Sequence, residues 1–139
     1  MYKALDIAKY IINKCMNDNI PISNMQLQKI LYCIQREFLK SGREAFSDEM
    51  EAWQIGPVVS EIYYKYCGFG AMPIRMKYTI DICDYDVPII NSIVEGIRIL
   101  KPWDLVKDVH RKGSAYDIVY DNGVGDHKII PKALIKKRG

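Results

Sequence analysis

Two histidines and four cysteines hold most of the catalytic or metal-binding chemistry open to this chain. Cys15, Cys33, Cys67 and Cys83 are far apart, form no C-x-x-C pair and have no histidine near them in sequence. Structural zinc sites usually draw on ligands two to four residues apart, so no metal is expected. Asp81, Asp84 and Asp86 are close enough to meet a divalent ion, but their spacing is not that of an EF-hand loop. A polar loop accounts for them. A hydrolase needs a nucleophile, a base and an orienting group brought together. Neither His110 nor His127 is accompanied by G-x-S-x-G, H-E-x-x-H or a phosphate-binding glycine loop. Gly68-Phe69-Gly70 runs into Ala71-Met72-Pro73, which does not start a helix. His110 precedes Arg111-Lys112-Gly113 at the end of a predicted helix, where an imidazole caps carbonyls and favours the dipole. No catalytic residue, metal or cofactor is expected.

Something must position these residues, and the composition says what. The 139 residues are 49% apolar and 27% charged, an ordinary globular balance. That length predicts one domain, residues 1–139, able to bury roughly two thirds of its unfolded surface. No run of about 18 apolar residues is present, and the first residues follow a helix face rather than a signal core. The chain reads as cytoplasmic, where disulfides are not expected. Cys15 and Cys33 fall on helical stripes and read as small buried hydrophobes. The net charge of +3 gathers toward Lys132, Lys136, Lys137 and Arg138. Cations there suit a helix end, and no aromatic or glycine interleaving argues for nucleic acid.

Hydrophobic spacing predicts a mainly α fold of about five to six helices with a small strand element. Leu5, Ala8, Ile11, Ile12 and Cys15 give a helix from about Ala4 to Met16. Ser23 and Gln26 form a capping box before a second helix with Leu27, Ile30, Leu31, Ile34 and Phe38 on its buried stripe, ending at Gly42. Glu51-Ala52-Trp53 reads as extended. Gly56-Pro57 marks a turn, with Pro57 in the first turn of a third helix, Val58 to about Cys67. Ile74 to Asp84 alternates like a short strand or extended loop. Asp86 can cap a fourth helix, with Pro88 in its first turn and Ile90, Ile93, Val94, Ile97 and Leu100 as its stripe. A fifth helix follows, from about Trp103 to His110. Then come a helical turn at Tyr116 to Tyr120, a short strand at His127 to Ile130, and a last helix after Pro131.

Met25 to Gln35, with Leu27-Gln28-Lys29-Ile30-Leu31-Tyr32, and the block Glu51-Ala52-Trp53-x-x-Gly56-Pro57-Val58-Val59 together resemble the Panacea domain of SocA-like antitoxins. Ala4 to Ile12, Phe46-Ser47-Asp48, Ile62-Tyr63 and Leu105 to His110 extend the resemblance over most of the chain. In many members a Trp follows that His after a short gap; Tyr116 stands at the corresponding place here. The resemblance implies a non-catalytic, helical antitoxin that neutralises a toxin by direct contact. In one member it also implies an adaptor that hands the toxin to the ClpXP protease. Others are phage-associated, so an inhibitor of a host defence or nuclease complex is an alternative, and a small DNA-binding regulator a more distant one.

The signature residues Gln28, Lys29, Trp53, Gly56, Pro57, Val58 and His110 are expected to be structural. Gln28 and Lys29, on the polar side of their helix, are expected to pin the Trp53–Pro57 loop through its carbonyls. The partner-binding candidates are Tyr63, Tyr64, Tyr66 and Phe69. Successive helical positions are about 100° apart, so these four cannot all face inward, and tyrosine is enriched at binding hot spots.

Overall fold

The structure, a computed structural model, describes residues 1–139, the side chain of Pro102 excepted. Seven α-helices and a small antiparallel sheet make up the fold among the described residues. Helix α1 (Ala4–Asn17) buries Ala4, Ile7, Ala8, Ile11, Ile12 and Cys15, the stripe its spacing predicts. Helix α2 (Asn24–Lys40) starts at the capping box: Ser23 Oγ accepts from the Gln26 N–H at 3.2 Å, and Gln26 Oε1 accepts from the Ser23 N–H at 2.9 Å. From Leu27 to Gln35 every residue of α2 is buried. A helix enclosed on all sides is the centre of a core.

Strands β1 (Glu51–Trp53), β2 (Gly56–Val58) and β3 (Lys128–Ile129) pair in the order β2-β1-β3. Gln54 and Ile55 connect β1 to β2, with Ala52 opposite Pro57. Pro57 therefore does not open a helix. It lies in β2, an edge strand, where a missing N–H is tolerated. Val58 closes that strand, and α3 (Ser60–Tyr66) begins after it, followed by a 3₁₀ turn at Cys67–Phe69.

Residues 73–83 form no strand. Ile74 and Ile82 anchor this extended segment in the core, and the Ile74 N–H donates to the Ile22 carbonyl at 2.7 Å. Helix α4 (Val87–Arg98) follows. Asp86 occupies its N-cap position but makes no cap bond. Its carboxylate instead pairs with the Arg43 guanidinium and accepts from the Tyr2 hydroxyl at 2.7 Å. Charge-assisted pairs of this kind outweigh a single cap bond. Ile90 and Val94 of α4 are buried, whereas Ile93, Ile97 and Leu100 are only half-buried.

Helix α5 (Pro102–Val109) leads to α6 (Ala115–Tyr120), which Ser114 caps by accepting from the Asp117 N–H at 3.1 Å. Helix α7 (Lys132–Arg138) ends the fold and packs on α2. No described helix is long and apolar enough to cross a membrane.

Candidate protein-interaction face

The β1–β2 hairpin is held mainly by buried polar side chains on α2 and α6. Gln28 and Lys29 are 1% and 2% exposed, so they are not on a solvated polar face. The hairpin covers them. Lys29 Nζ donates to the Ile55 carbonyl at 3.0 Å. Gln28 acts on the other group of the backbone: its Oε1 accepts from the Val59 N–H at 3.0 Å. Its amide nitrogen donates to Asn24 Oδ1 at 3.2 Å, and Asn24 Nδ2 donates to the Tyr63 carbonyl at 3.0 Å. The buried Tyr116 hydroxyl donates to the Trp53 carbonyl and lies 3.4 Å from that of Gln54. Three consecutive turn carbonyls thus face buried side chains, which meets the requirement that enclosed backbone groups be paired.

Gly56 is required twice. Its φ is +123°, and a Cβ there would stand 1.9 Å from Lys29 Nζ. Burial pushes the Lys29 ammonium down to about 8, with Cys33 opposing weakly. His110 follows α5, but its half-buried ring turns inward instead of capping carbonyls. The ring packs on Tyr116 with centroids 4.4 Å apart. Its Nε2 is buried without a hydrogen-bond partner. Burial first, then the Lys29 charge, hold His110 below the usual imidazole range; the Ile55 carbonyl acts in the opposite direction.

The hairpin presents Trp53 to α3. The indole is 8% exposed and meets Tyr63 at 5.0 Å, Tyr64 at 5.6 Å and His127 at 4.4 Å between centroids. Its N–H donates to Glu51 Oε1 at 2.9 Å. Tyr64 is 60% exposed. The four aromatic candidates therefore divide. Tyr63 and Tyr64 join the Trp53 cluster. Tyr66 is buried, shares a hydroxyl–hydroxyl bond of 2.8 Å with Tyr78, and cannot meet a partner. Phe69 is half-buried beside it, against the core. His127 belongs to the exposed face, with a left-handed φ of 68° just before β3. Sequence reasoning placed it only at a strand end, because its contact with Trp53 spans most of the chain.

Sequence reasoning also passed over the groove between α2 and α4. It is an open groove of about 680 Å³ in which Phe38, Ile89, Ile93 and Ile97 are flanked by Arg36, Glu37 and Arg43. Farther along the chain Ile99 and Trp103 are 72% and 82% exposed. Among the described residues no group of three or more His, Cys, Asp or Glu is placed to hold a metal ion.

The chain matches the family model of the antitoxin SocA-like Panacea domain over residues 27–115. It belongs to that family. The matched span runs from Leu27 on α2 to Ala115 on α6, so it contains Gln28, Lys29, the hairpin, α3 and His110. Antitoxin SocA of Caulobacter vibrioides (strain NA1000 / CB15N) is 31% identical over 105 residues, which is 75% of this chain and 50% of that protein. The chain thus spans about half the length of this curated relative. No solved structure matches.

Proposed function

We propose that this Panacea-domain protein is a cytoplasmic antitoxin whose residues 1–139 form one domain and that neutralises a cognate toxin by direct contact. Its partner face is the cluster of Trp53, Tyr63, Tyr64 and His127. Family membership supports the toxin partner. The observation that carries the location is Tyr64, 60% exposed yet packed against a buried indole. A rigid aromatic held in place by its neighbours loses little entropy on binding, the property that makes tyrosine a hot spot. Phe69 lies beside this face rather than in it, and the lysines of the surface supply rim charge.

Native mass spectrometry after co-expression with the adjacent open reading frame tests this proposal. A stoichiometric complex with relief of the neighbour's toxicity is expected, and Tyr64→Ala should dissolve it without lowering thermal stability. A lone monomer beside a harmless neighbour overturns it in favour of a phage-borne inhibitor of a host complex. Repeating the toxicity assay in a host lacking ClpXP separates simple blocking from delivery to a protease: only delivery needs the protease.

A further inference from the structure

The turn that positions Trp53 is held beside two basic groups with no carboxylate bonded to either. Lys29 is 2% exposed and enters no ion pair among the described residues. Its bonded partner is the Ile55 carbonyl. His110 Nε2 is buried without a partner. Both atoms lie within 3.3 Å of the point where a Cβ on residue 56 would stand, so they face one turn from α2 and from the end of α5.

The charges around them are few. Cys33 lies one helical turn beyond Lys29 on α2. Asp104 and Asp108 of α5 line, with Lys29, a cavity of about 80 Å³, and Asp108 is already bonded to Arg36 and Arg111. From α6, Asp117 faces His110, but its carboxylate accepts from the Gly113 N–H at 2.9 Å. A proton on His110 therefore creates a second buried cation, competing with Lys29 for one carbonyl. Enclosed charges without a counter-ion are costly.

We propose that Lys29 and His110 form a proton-operated latch on the hairpin turn. With His110 neutral, Lys29 holds the turn on α2. Protonation of His110 releases the turn, loosens the Trp53 cluster and weakens the partner's grip. The imidazole is held below its usual range, so the latch is closed at neutral pH. Stability from neutral His110 is complete above the unfolded imidazole value and is lost as pH falls through the folded one. The inference rests on the aromatic face being the toxin-binding face.

The test uses the full chain with Trp103→Phe, which leaves Trp53 as its one indole. Trp53 emission of the free protein and affinity for the co-expressed partner are followed from about pH 7.5 to about pH 5.5, across the range where histidine titrates. Acidification should red-shift the emission and weaken binding about fivefold or more, the size of an ordinary coupling. His110→Gln should flatten both curves in a His127→Gln background, which removes the second imidazole, packed on Trp53 at 4.4 Å. In the unsubstituted protein, the imidazole proton resonances of His110 should titrate with the same midpoint as a backbone resonance of Ile55. That measurement needs no variant to fold. Emission constant into acid, a His110→Gln curve that follows its His127→Gln parent, or His110 titrating while Ile55 stays still overturns the latch. Absence of any partner at neutral pH overturns the antitoxin proposal instead and leaves the free-protein readouts intact.

Discussion

Replacing Lys29 by Met should change the pH dependence of stability more than stability itself. Met keeps the length and most of the volume of the side chain but removes the charge. Burial lowers the ammonium from 10.5 to about 8. Each unit is worth about 1.4 kcal/mol, so enclosing the charge costs on the order of 3 kcal/mol. The same substitution removes a charged hydrogen bond worth about 1.5–3 kcal/mol and leaves the Ile55 carbonyl without its donor. At neutral pH the two nearly cancel, and the net change should stay within about 2 kcal/mol.

The profile does not cancel. A lysine depressed in the folded state binds fewer protons there than in the unfolded chain, between pH 8 and 10.5. Over that range its contribution to stability rises with pH. From about pH 7.5 to about pH 9.5 the rise is about 2 kcal/mol. That equals roughly 6 °C in Tm for a chain of this size. Buried thiols titrate in the same range and act in the opposite direction, since burial raises Cys15 and Cys33. Cys15 is common to both proteins, and the Lys29 charge is the smallest of the effects on Cys33, so the difference between parent and Lys29→Met reports mainly the lysine. Urea unfolding followed by circular dichroism across that range is the assay. Parallel profiles would show that Lys29 is not an enclosed cation, and the account of the turn would fail with it.

Tyr64→Ala should leave urea unfolding within about 0.5 kcal/mol of the parent and abolish the complex, whereas Tyr66→Ala should cost about 3–5 kcal/mol as a buried aromatic. The two residues are two apart in sequence, so equal loss of stability from both would refute the division of the aromatics. Gly56→Ala puts a Cβ 1.9 Å from Lys29 Nζ at a φ of +123°, and should cost more than about 2 kcal/mol in thermal unfolding; tolerance would mean that the turn is not held on Lys29. Asp86→Asn should destabilise the protein above about pH 4 and make little difference below it. Arg43, ahead of the opposing effect of burial, holds the Asp86 carboxyl below its usual range, so its stabilisation is present above the unfolded value and is lost as pH falls. A pH-independent loss would refute the pairing.

What was legible in the sequence follows from the range over which each signal acts. The stripe of α1 and the capping box of α2 are local, and both stand where the spacing puts them. Gly56-Pro57 is ambiguous locally, because the same pair opens a helix or closes a two-residue hairpin. The choice depends on pairing, and β3, which completes the sheet on the other side of β1, lies more than 70 residues away. The core position of Tyr66 was within reach: it follows Ile62 by four residues, so the two share the buried face of α3. The membership of His127 in the aromatic face was not, because no periodicity connects it to Trp53.

The burial of Gln28 and Lys29 escaped periodicity for a physical reason that bears on function. Asn24, Gln28 and Gln35 are spaced four and seven residues apart and so lie along one side of α2. Each bonds the backbone of a segment that has little regular structure to hold it. Asn24 takes the Tyr63 carbonyl, Gln28 the Val59 N–H, and Gln35 both the Ala45 N–H and the Phe46 carbonyl. Lys29, one position from Gln28, adds the Ile55 carbonyl. A polar row in a core is costly unless every member is paired. Here the partners are the hairpin, the start of α3 and the loop before β1. Helix α2 therefore acts as a template that orders irregular chain by hydrogen bonds where apolar packing would leave it free to slide. The proposed aromatic face is built on that chain. A substitution in the polar row should thus shift Trp53 and Tyr63 and weaken partner binding from inside the core, without touching the partner at all.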